Sequence, residues 1–413
     1  MNTFFDLFFY FLLFLSLYVQ VFFLITFLEN RRKIVTRTAK IALANYPKVT
    51  ITVPCWNEES TIEKTVHSLL GLNYPKDKLE IFLVDDGSQD NTWNVLQKFT
   101  SYSNIKVFRK ENGGKHTALN LGLDNSTGEY FGCLDADSIA DPESLIRIMS
   151  YFEKDQATMA VAPSIIVNNP KTIIQKAQKA EYDMAVYVKK MLAFLGAIHV
   201  TPGPLTIFKI QVFKDLGQYR KAHNTEDMEI AYRMQTHGYK IEQCNDAYVY
   251  TNTPPTVKKL YKQRIRWIYG FINNTIDYRK FLFKKKYGHF STFTVPSGII
   301  SIMAATYVLV RVVSNLVSRG YDQYLVYRAV GLRWPEVGSF DPFFINTSSL
   351  LFISVVLYSL IFFAIWNGGV IARDNKALSW NVLYFMVIYS VVAPFWLMKA
   401  VYNTIVSKKP AWR

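Results

Sequence analysis

The chain has 413 residues, of which 50% are hydrophobic and 15% aromatic, a composition unusual for a purely soluble enzyme. Its formal net charge of +15 fits either nucleic acid or an anionic membrane face as a partner. Because long apolar segments are present and no recognisable nucleic-acid motif is, we expect a membrane protein and exclude nucleic acid. The three cysteines, Cys55, Cys133 and Cys244, show no paired or metal-ligand spacing and are expected to be inert thiols in a reducing cytosol.

The first apolar segment predicts an uncleaved membrane anchor over residues 1–30. Residues 4–28 are almost wholly apolar, and at about 1.5 Å per residue they extend about 37 Å, more than a hydrocarbon core of about 30 Å. Bases follow the segment, as Arg31, Arg32 and Lys33, whereas a signal peptide carries its bases in front. By the positive-inside rule the N-terminus lies outside, and the chain after Arg31 lies in the cytoplasm.

Short apolar runs then alternate with helical stretches. The strand-like runs cover residues 49–54, 79–84 and 105–108, and a further run ends at Asp135. The helix-like stretches cover residues 58–70 and 91–99, and another begins at His116. This alternation is typical of a doubly wound, mostly parallel sheet. We therefore predict a cytosolic α/β domain over residues 31–250.

The rest of the chain predicts membrane association. Residues 257–289 mix bases with aromatics and contain Lys284-Lys285-Lys286, a pattern typical of amphipathic interfacial helices on an anionic leaflet. We assign residues 251–290 to such helices and residues 291–413 to a C-terminal transmembrane region. The region has three apolar segments long enough to cross a bilayer, at residues 293–317, 343–372 and 380–406.

The charge of the C-terminal tail conflicts with this topology. One anchor and three spans place Lys408, Lys409 and Arg413 outside, against the positive-inside rule. Either one C-terminal segment is re-entrant, with Pro394 marking the break, or the tail is external. Both alternatives stay open at this point.

Two carboxylates follow the apolar run at residues 131–134. Asp135 and Asp137, separated by one small residue, can offer hard oxygen ligands to one divalent cation such as Mg²⁺ or Mn²⁺. The carboxyl ends of the strands in an open α/β sheet are also where ligands bind. A solvated turn after a strand explains the same pair equally well when the pair is taken alone.

Three more polar stretches lie at the predicted ends of strands. Residues 53–58 (VPCWNE) end a strand at a proline and present Glu58 at a helix start. Residues 84–88 (VDDGS) place two carboxylates before Gly87, which permits a tight turn. Residues 112–115 (NGGK) form a glycine-rich turn with one lysine, which suits the approach of a phosphate. Each is also ordinary turn chemistry, but the four together predict a ligand site.

These motifs resemble those of the inverting GT-A glycosyltransferases. Residues 225–227 (TED) and 263–267 (QRIRW) resemble two further motifs, which mark the membrane-embedded processive branch. That branch comprises cellulose, chitin, hyaluronan and poly-N-acetylglucosamine synthases. The layout, with one N-terminal anchor and a short tail carrying Trp412, is most similar to the poly-β-1,6-N-acetylglucosamine synthases. Trp56 is a departure, since the family more often has tyrosine, although an aromatic face is retained.

The resemblance implies a donor site for a UDP-sugar. Pro54, Trp56, Glu58 and Asp86 would hold the nucleoside part, and Lys115 would reach the diphosphate. Asp135 and Asp137 would orient Mg²⁺ or Mn²⁺, which neutralises the departing UDP. Residues 203–205 (GPL) would form the floor beneath the terminal sugar of the acceptor, and they resemble the hyaluronan synthases at that point. An ordinary turn is the alternative there.

Asp227 is the expected general base. An inverting transfer needs one carboxylate to take the proton of the acceptor hydroxyl. Glu226 and Glu229 crowd like charges around Asp227, which raises the pKa of at least one of these carboxyls. The alternative is a helix N-terminus, capped by Thr225, whose first turn favours acids. Both descriptions can hold together.

Gln263 and Trp267 are four residues apart and share a helical face, with Arg266 beside them. Trp267 offers a plane for stacking a sugar ring, and Arg266 can bind a diphosphate as a fork. Interfacial anchoring is the alternative, since arginine and tryptophan both favour membrane boundaries.

The sequence thus predicts a multi-pass enzyme of the cell membrane that polymerises a β-linked polysaccharide from a UDP-sugar. The best guess for the donor is UDP-N-acetylglucosamine, and the growing glycan would pass through the enzyme's own membrane segments. The expected partners are the donor, the glycan acceptor, the bilayer and an accessory membrane subunit. The alternatives are a synthase of another polymer, a non-processive enzyme that adds one sugar to a lipid or polyprenyl acceptor, and an inactive scaffold.

Overall fold

A computed structural model describes residues 3–34, 41–331, 349–372 and 380–410. Its centre is an eight-stranded sheet. The strands are β1 (Val49–Cys55), β2 (Leu79–Asp86), β3 (Ile105–Lys110), β4 (Tyr130–Cys133), β5 (Ser138–Ala140), β6 (Thr158–Val167), β7 (Ile207–Lys209) and β8 (Lys240–Thr251). In space they follow the order β3-β2-β1-β4-β7-β6-β8-β5.

The sheet is mixed and mostly parallel. Strands β3, β2, β1 and β4 are parallel neighbours, and β6 is parallel to β8. Strand β7 is antiparallel to both β4 and β6, and β5 is antiparallel to β8. The predicted α/β class with a mostly parallel sheet is confirmed. Because β1, β2 and β4 run in one direction, their carboxyl ends meet at one edge of the sheet.

Twelve helices are described. They are α1 (Thr3–Asn30), α2 (Ile62–Leu70), α3 (Thr92–Gln97), α4 (Lys115–Asp124), α5 (Ser144–Lys154), α6 (Ile173–Phe194), α7 (Gln211–Leu216), α8 (Glu226–Thr236), α9 (Val257–Asp277), α10 (Val295–Val330), α11 (Ser349–Ile371) and α12 (Asn381–Ile405). Helices cover the sheet on both faces, so β1 and β2 are buried along nearly their whole length. The three cysteines are free and buried, and burial raises the pKa of each thiol.

Four described helices are long and apolar enough to cross a membrane: Leu7–Lys33, Phe290–Val330, Leu351–Ile371 and Asn381–Ile405. They coincide with the four apolar segments predicted from the sequence. The start of the third predicted segment, residues 343–348, lies outside the described residues, as do Trp412 and Arg413. Helix α12 continues through Pro394, so the structure has no break at that residue.

The helices differ from the sequence-based expectation in two places. Helix α10 continues to Val330, well past the predicted end at residue 317. The region of expected interfacial helices contains one long helix, α9, followed by two short 3₁₀ turns at Arg279–Phe281 and Lys285–Tyr287.

Helix α6 joins the sheet domain to the membrane helices. Its first turn is closed by a capping box, in which Thr172 and Gln175 satisfy each other's backbone N–H groups. One side of α6 contacts β6 and β8, and another contacts α11 and α12. The position of the membrane helices relative to the sheet therefore depends on α6.

We expect Gly368→Ala to lower the midpoint of thermal unfolding. Gly368 lies in α11, and a Cβ atom at that position would lie 1.8 Å from the carbonyl oxygen of Asp183 in α6. Because that neighbour is backbone, the two helices must separate, at a cost of about 1–3 kcal/mol. The measurement is thermal unfolding of the purified protein in one detergent.

The matched control is Gly320→Ala in α10, where the added Cβ meets no described atom within 4 Å. This variant should be unchanged or slightly more stable, because alanine favours a helix over glycine by up to about 1 kcal/mol. Equal midpoints for the two variants would contradict the close packing of α6 and α11.

Candidate active site

The loops after β1 and β2 are tied together by hydrogen bonds. Asn57 adopts a left-handed conformation with φ 55°. Its N–H donates to Ser88 Oγ (3.0 Å), and its side-chain oxygen accepts from the N–H of Gln89 (2.8 Å). The N–H of Glu58 donates to Thr92 Oγ1 (2.8 Å). These bonds fix two of the sequence motifs against each other at the edge of the sheet.

The predicted nucleoside-binding residues lie along this edge. Pro54 is in β1 opposite Val84 of β2, and Trp56 directly after β1 is half-buried. Glu58 is buried, and one of its carboxylate oxygens accepts from Thr61 Oγ1 (2.7 Å). The three residues therefore lie at or just beyond the carboxyl end of β1, beside the end of β2.

Asp86 holds the glycine turn in place. Its Oδ1 accepts from the N–H of Gly113 (3.0 Å) and from Lys110 Nζ (2.6 Å), and its Oδ2 accepts from the N–H of Gly114 (2.8 Å). Gly114 has φ 91°, a conformation that favours glycine. Because the turn leads directly into α4, Asp86 determines where Lys115 begins that helix.

Lys115 is the central cation of the site. Its Nζ lies 2.6 Å from Asp135 Oδ1 and 3.4 Å from Glu226 Oε1. Burial alone would lower the pKa of Lys115, but Asp135 and Glu226 outweigh burial and raise that pKa well above its usual value. The ammonium group therefore stays charged and links the end of β4 to the start of α8.

Gly203 lies directly against this ion pair. A Cβ atom on Gly203 would lie 2.6 Å from Lys115 Nζ and 2.7 Å from Asp135 Oδ1. Leu205, in the same turn, has φ 56°, and its N–H donates to the carbonyl oxygen of Cys133 at the end of β4 (2.7 Å). The GPL turn thus lies beside the charged groups of Lys115 and Asp135, and Leu205 in this turn has a strained backbone conformation.

Asp227 is half-buried in the first turn of α8. Burial and the neighbouring carboxylate of Glu226 raise its pKa to about 6, while Lys115 and Arg266 act in the opposite direction. Its Oδ1 accepts from the N–H of Met228 (2.9 Å). A carboxyl group with this pKa is poised to exchange a proton near neutral pH.

Thr225 is at the N-cap position of α8, but its hydroxyl does not cap the helix. The hydroxyl donates to the carbonyl oxygen of Ala222 (2.9 Å) and accepts from Asn274 Nδ2 of α9 (2.9 Å). Gly270 makes this approach possible, because a Cβ atom there would lie 2.3 Å from the Thr225 side chain. Helices α8 and α9 are therefore held in close contact at the start of the TED motif.

The segment before Asp227 is strained and is held by α9. Ala222, His223 and Asn224 have positive φ angles of 39°, 57° and 62°. Arg266 Nη1 donates to the carbonyl oxygen of Asn224 (2.8 Å), and His223 Nε2 lies 2.8 Å from Asp277 Oδ2. Arg266 thus supports the approach to Asp227 and lies close enough to lower its pKa.

Gln263 and Trp267, which the sequence placed beside Arg266, make contacts different from those of Arg266 in the structure. Trp267 lies under the guanidinium of Arg264, with 4.1 Å between the Arg264 Cζ atom and the ring centroid. Gln263 Oε1 is buried and has no hydrogen-bond partner within the described part of the chain. Arg266 contacts the strained segment, whereas Trp267 faces another arginine of the same helix.

Two residues of α6 that sequence reasoning missed lie close enough to the site for its charges to affect their pKa values. Burial raises the pKa of Tyr182 to about 12, with Asp137 and Asp135 contributing to the rise. Burial lowers the pKa of Lys189 to about 8, against the opposing effect of Asp227. The two residues are seven apart and share one helical face. A lysine spaced in this way within an apolar stretch was the available signal.

The two candidate metal ligands, Asp135 and Asp137, lie on the turn between β4 and β5. Their oxygens are the hard donors that Mg²⁺ and Mn²⁺ take, and Lys115 shows that Asp135 accepts a cation. Within the described residues, no cluster of three or more His, Cys, Asp or Glu side chains could hold a metal. Two carboxylates are too few to complete the coordination of Mg²⁺ or Mn²⁺, so the pair fits such a cation only with water or diphosphate oxygens as the remaining ligands.

The comparisons with known proteins define the class. Residues 50–217 match the model of Glycosyl transferase family 2, so the chain carries a domain of that family. A solved structure of the mannosyltransferase PcManGT from Pyrobaculum calidifontis, in complex with GDP-Man and Mn²⁺, has the same fold with a TM-score of 0.54. It is 17% identical, and the match covers 96% of this chain and 99% of that one. The chain therefore carries a Glycosyl transferase family 2 domain with the fold of that structure, together with helices long and apolar enough to cross a membrane.

Its curated relatives narrow the class. The chain is 28% identical over 317 residues to the poly-β-1,6-N-acetyl-D-glucosamine synthase of Staphylococcus epidermidis, which covers 76% of this chain and 74% of that protein. It is 31% identical over 270 residues to the synthase of Staphylococcus aureus (strain COL), which covers 64% and 65%. The chain thus spans slightly under two thirds of the S. aureus relative. The resemblance found in the sequence is confirmed.

We expect Gly203→Ala to reduce sugar transfer by at least about tenfold, because the new methyl group displaces the Lys115 ammonium from Asp135. The measurement is release of the nucleoside diphosphate by purified enzyme. Gly71→Ala is the control, since the nearest atom to its added Cβ is 3.4 Å away. Equal rates in the two variants would show that the GPL turn does not constrain the ion pair.

Proposed function

We propose that the protein polymerises a β-linked polysaccharide from UDP-N-acetylglucosamine at the cell membrane, with its catalytic domain in the cytoplasm. The observation that carries the proposal is the convergence of Lys115, Asp135, Glu226, Asp227 and Arg266 at the edge of a GT-A sheet that is joined to four apolar helices. The poly-β-1,6-N-acetyl-D-glucosamine synthases among the relatives support the choice of donor and product.

The donor site is formed by the strand ends. Pro54, Trp56, Glu58 and Asp86 line the nucleoside side, and Asp86 also holds the turn that presents Lys115 to the diphosphate. A buried ammonium beside a glycine turn is suited to bind phosphate oxygens. Arg266 and Gln263 on α9 complete the donor site, and Trp267 on the same helix offers its ring for stacking on the terminal sugar of the acceptor.

Asp135 and Asp137 would hold Mg²⁺ or Mn²⁺, which stabilises the negative charge of the departing diphosphate. The Mn²⁺ in the PcManGT complex supports a divalent ion for this fold. Lys115 contributes a second positive charge at the same place, since its Nζ is already 2.6 Å from Asp135 Oδ1.

Asp227 acts as the general base. As the acceptor hydroxyl attacks the anomeric carbon from the face opposite the diphosphate, its proton passes to the Asp227 carboxylate, and the configuration inverts. Oδ1 already accepts from the N–H of Met228, which leaves Oδ2 to take the proton. Glu226 helps to keep the pKa of Asp227 raised, and the GPL turn at Gly203 supports the acceptor sugar.

The polymer would leave through the four apolar helices, of which one is the N-terminal anchor and three follow the α9 motif along the chain. The bases at residues 31–33 support a cytoplasmic position for the catalytic domain. An accessory membrane subunit stays a prediction.

The product assay tests the proposal. Protein reconstituted in lipid with Mg²⁺ or Mn²⁺ receives each common UDP-sugar in turn, and the release of UDP and the size of the product are measured. We expect UDP-N-acetylglucosamine to give a product of high molecular weight. A lipid carrying a single added sugar would contradict polymerisation and establish a non-processive enzyme.

We expect turnover to fall as the pH decreases through about 6, because the base must be ionised and the pKa of Asp227 is about 6. The stability of the fold changes with pH in the opposite direction to turnover. The unfolded carboxyl has a pKa of about 3.9, so the native state binds the proton more tightly and loses stability as the pH rises from about 4 to about 6. The measurements are the rate of UDP release and the unfolding midpoint across that range.

Asp227→Asn should bind UDP normally and show no turnover at any pH, whereas Asp77→Asn, at an exposed carboxyl, should keep the wild-type pH profile. A rate that is half-maximal near pH 4, or turnover in Asp227→Asn, would remove Asp227 from the role of base.

A further inference from the structure

Three helices meet at one carboxylate oxygen. Glu181 of α6 accepts from Arg264 Nη2 of α9 and from the hydroxyl of Tyr389 of α12, both at Oε2. Arg264 Nη2 and the Tyr389 hydroxyl oxygen are themselves 3.5 Å apart. We call these residues the Glu181–Arg264–Tyr389 cluster. It joins a helix of the catalytic domain, the helix of the QRIRW motif and a membrane helix.

Arg264 depends on this cluster for its position. Its side chain is only 4% exposed, and within the described residues its Nε and Nη1 atoms have no hydrogen-bond partner. The guanidinium is therefore anchored through Nη2 alone. A buried guanidinium held by one carboxylate is sensitive to the loss of any group that fixes that carboxylate.

The free face of the guanidinium lies over Trp267. The Arg264 Cζ atom is 4.1 Å from the centroid of the indole ring, one helical turn along α9. A cation stacked on an aromatic face restrains the plane of the ring. The orientation of Trp267 is thus set by Arg264.

The cluster has one sequence neighbour near the charged site and one aromatic contact within the membrane helix α12. Tyr182 follows Glu181 in α6 and is close enough to Asp135 and Asp137 to feel both charges. The ring of Tyr389 packs edge-on against Trp396 of α12, with 5.4 Å between the ring centroids. A change in the position of α12 would therefore also move the residues that lie next to the site.

We propose that Arg264 is a positioning residue, which Glu181 and Tyr389 hold so that Trp267 grips the acceptor only when α12 is seated against α6 and α9. This inference rests on the proposed function, in which Trp267 contacts the acceptor. Arg264 itself need not contact the sugar. The consequence is that acceptor binding depends on the position of a membrane helix, whereas donor binding at the strand ends does not.

Tyr389→Phe tests this role, because it removes one hydroxyl and keeps the packing of the ring. The loss of one hydrogen bond should raise the KM for an added glycan oligosaccharide by about threefold to tenfold. The KM for the donor should stay at the wild-type value, the unfolding midpoint should fall only by the small amount expected for one lost hydrogen bond, and the polymer should be shorter. Tyr402→Phe is the matched control on the same helix, since Tyr402 is 53% exposed, and it should behave as wild type.

Glu181→Gln and the double variant Glu181→Gln/Tyr389→Phe complete a double-mutant cycle with Tyr389→Phe. If the cluster acts as a unit, the double variant should raise the acceptor KM no more than the stronger single variant does. Additive effects, or a lower unfolding midpoint with an unchanged acceptor KM, would overturn the positioning role.

The two proposals fail in different ways. If the wild-type enzyme adds only one sugar to a lipid, polymerisation is wrong, and the KM for that lipid then takes the place of the oligosaccharide KM. If the wild-type enzyme makes polymer and Tyr389→Phe matches Tyr402→Phe in both acceptor KM and product size, polymerisation stands and the role of Arg264 is wrong.

Discussion

The site depends on one buried ammonium group. Three carboxylates, of Asp135, Glu226 and Asp227, lie close together where the sheet meets α8, and like charges cannot be buried together without a compensating cation. Lys115 supplies that cation, through contacts of 2.6 Å to Asp135 and 3.4 Å to Glu226. Without it, the end of β4 and the start of α8 would repel each other. The glycine turn held by Asp86 places the Lys115 side chain among these carboxylates.

A second requirement is that backbones approach closely around these charges. Gly203 has no room for a side chain beside Lys115, and Gly270 has none beside Thr225. The strained residue Leu205 lies in the turn of Gly203, and the strained residue His223 lies just before Thr225. Strain of this kind persists only when surrounding contacts over-determine it, as the hydrogen bonds to Cys133 and Asp277 and the one from Arg266 do in this protein. Several contacts together, and not one strong bond, therefore hold the site in its conformation.

The parts of the site that lie at strand ends could be predicted from the sequence, because strand periodicity and turn residues are local signals. Pro54, Glu58, Asp86, Lys115 and Asp135 are found at the same edge of the sheet for that reason. The three-residue strands β5 and β7 could not be predicted, since they exist only through pairing with distant strands. The same holds for Tyr182 and Lys189 of α6 and for the cluster at Arg264, whose partners are up to about two hundred residues away along the chain.

The length of α10 has a consequence for the far side of the bilayer. Its 36 residues correspond to about 54 Å, and even at a tilt of about 40° the helix would rise about 41 Å, more than a hydrocarbon core of about 30 Å. A last stretch of at least two turns must therefore leave the lipid. That stretch carries Arg319, Asp322 and Arg328 among exposed tyrosines, such as Tyr321 and Tyr324. The last turns of α10 therefore extend beyond the membrane surface.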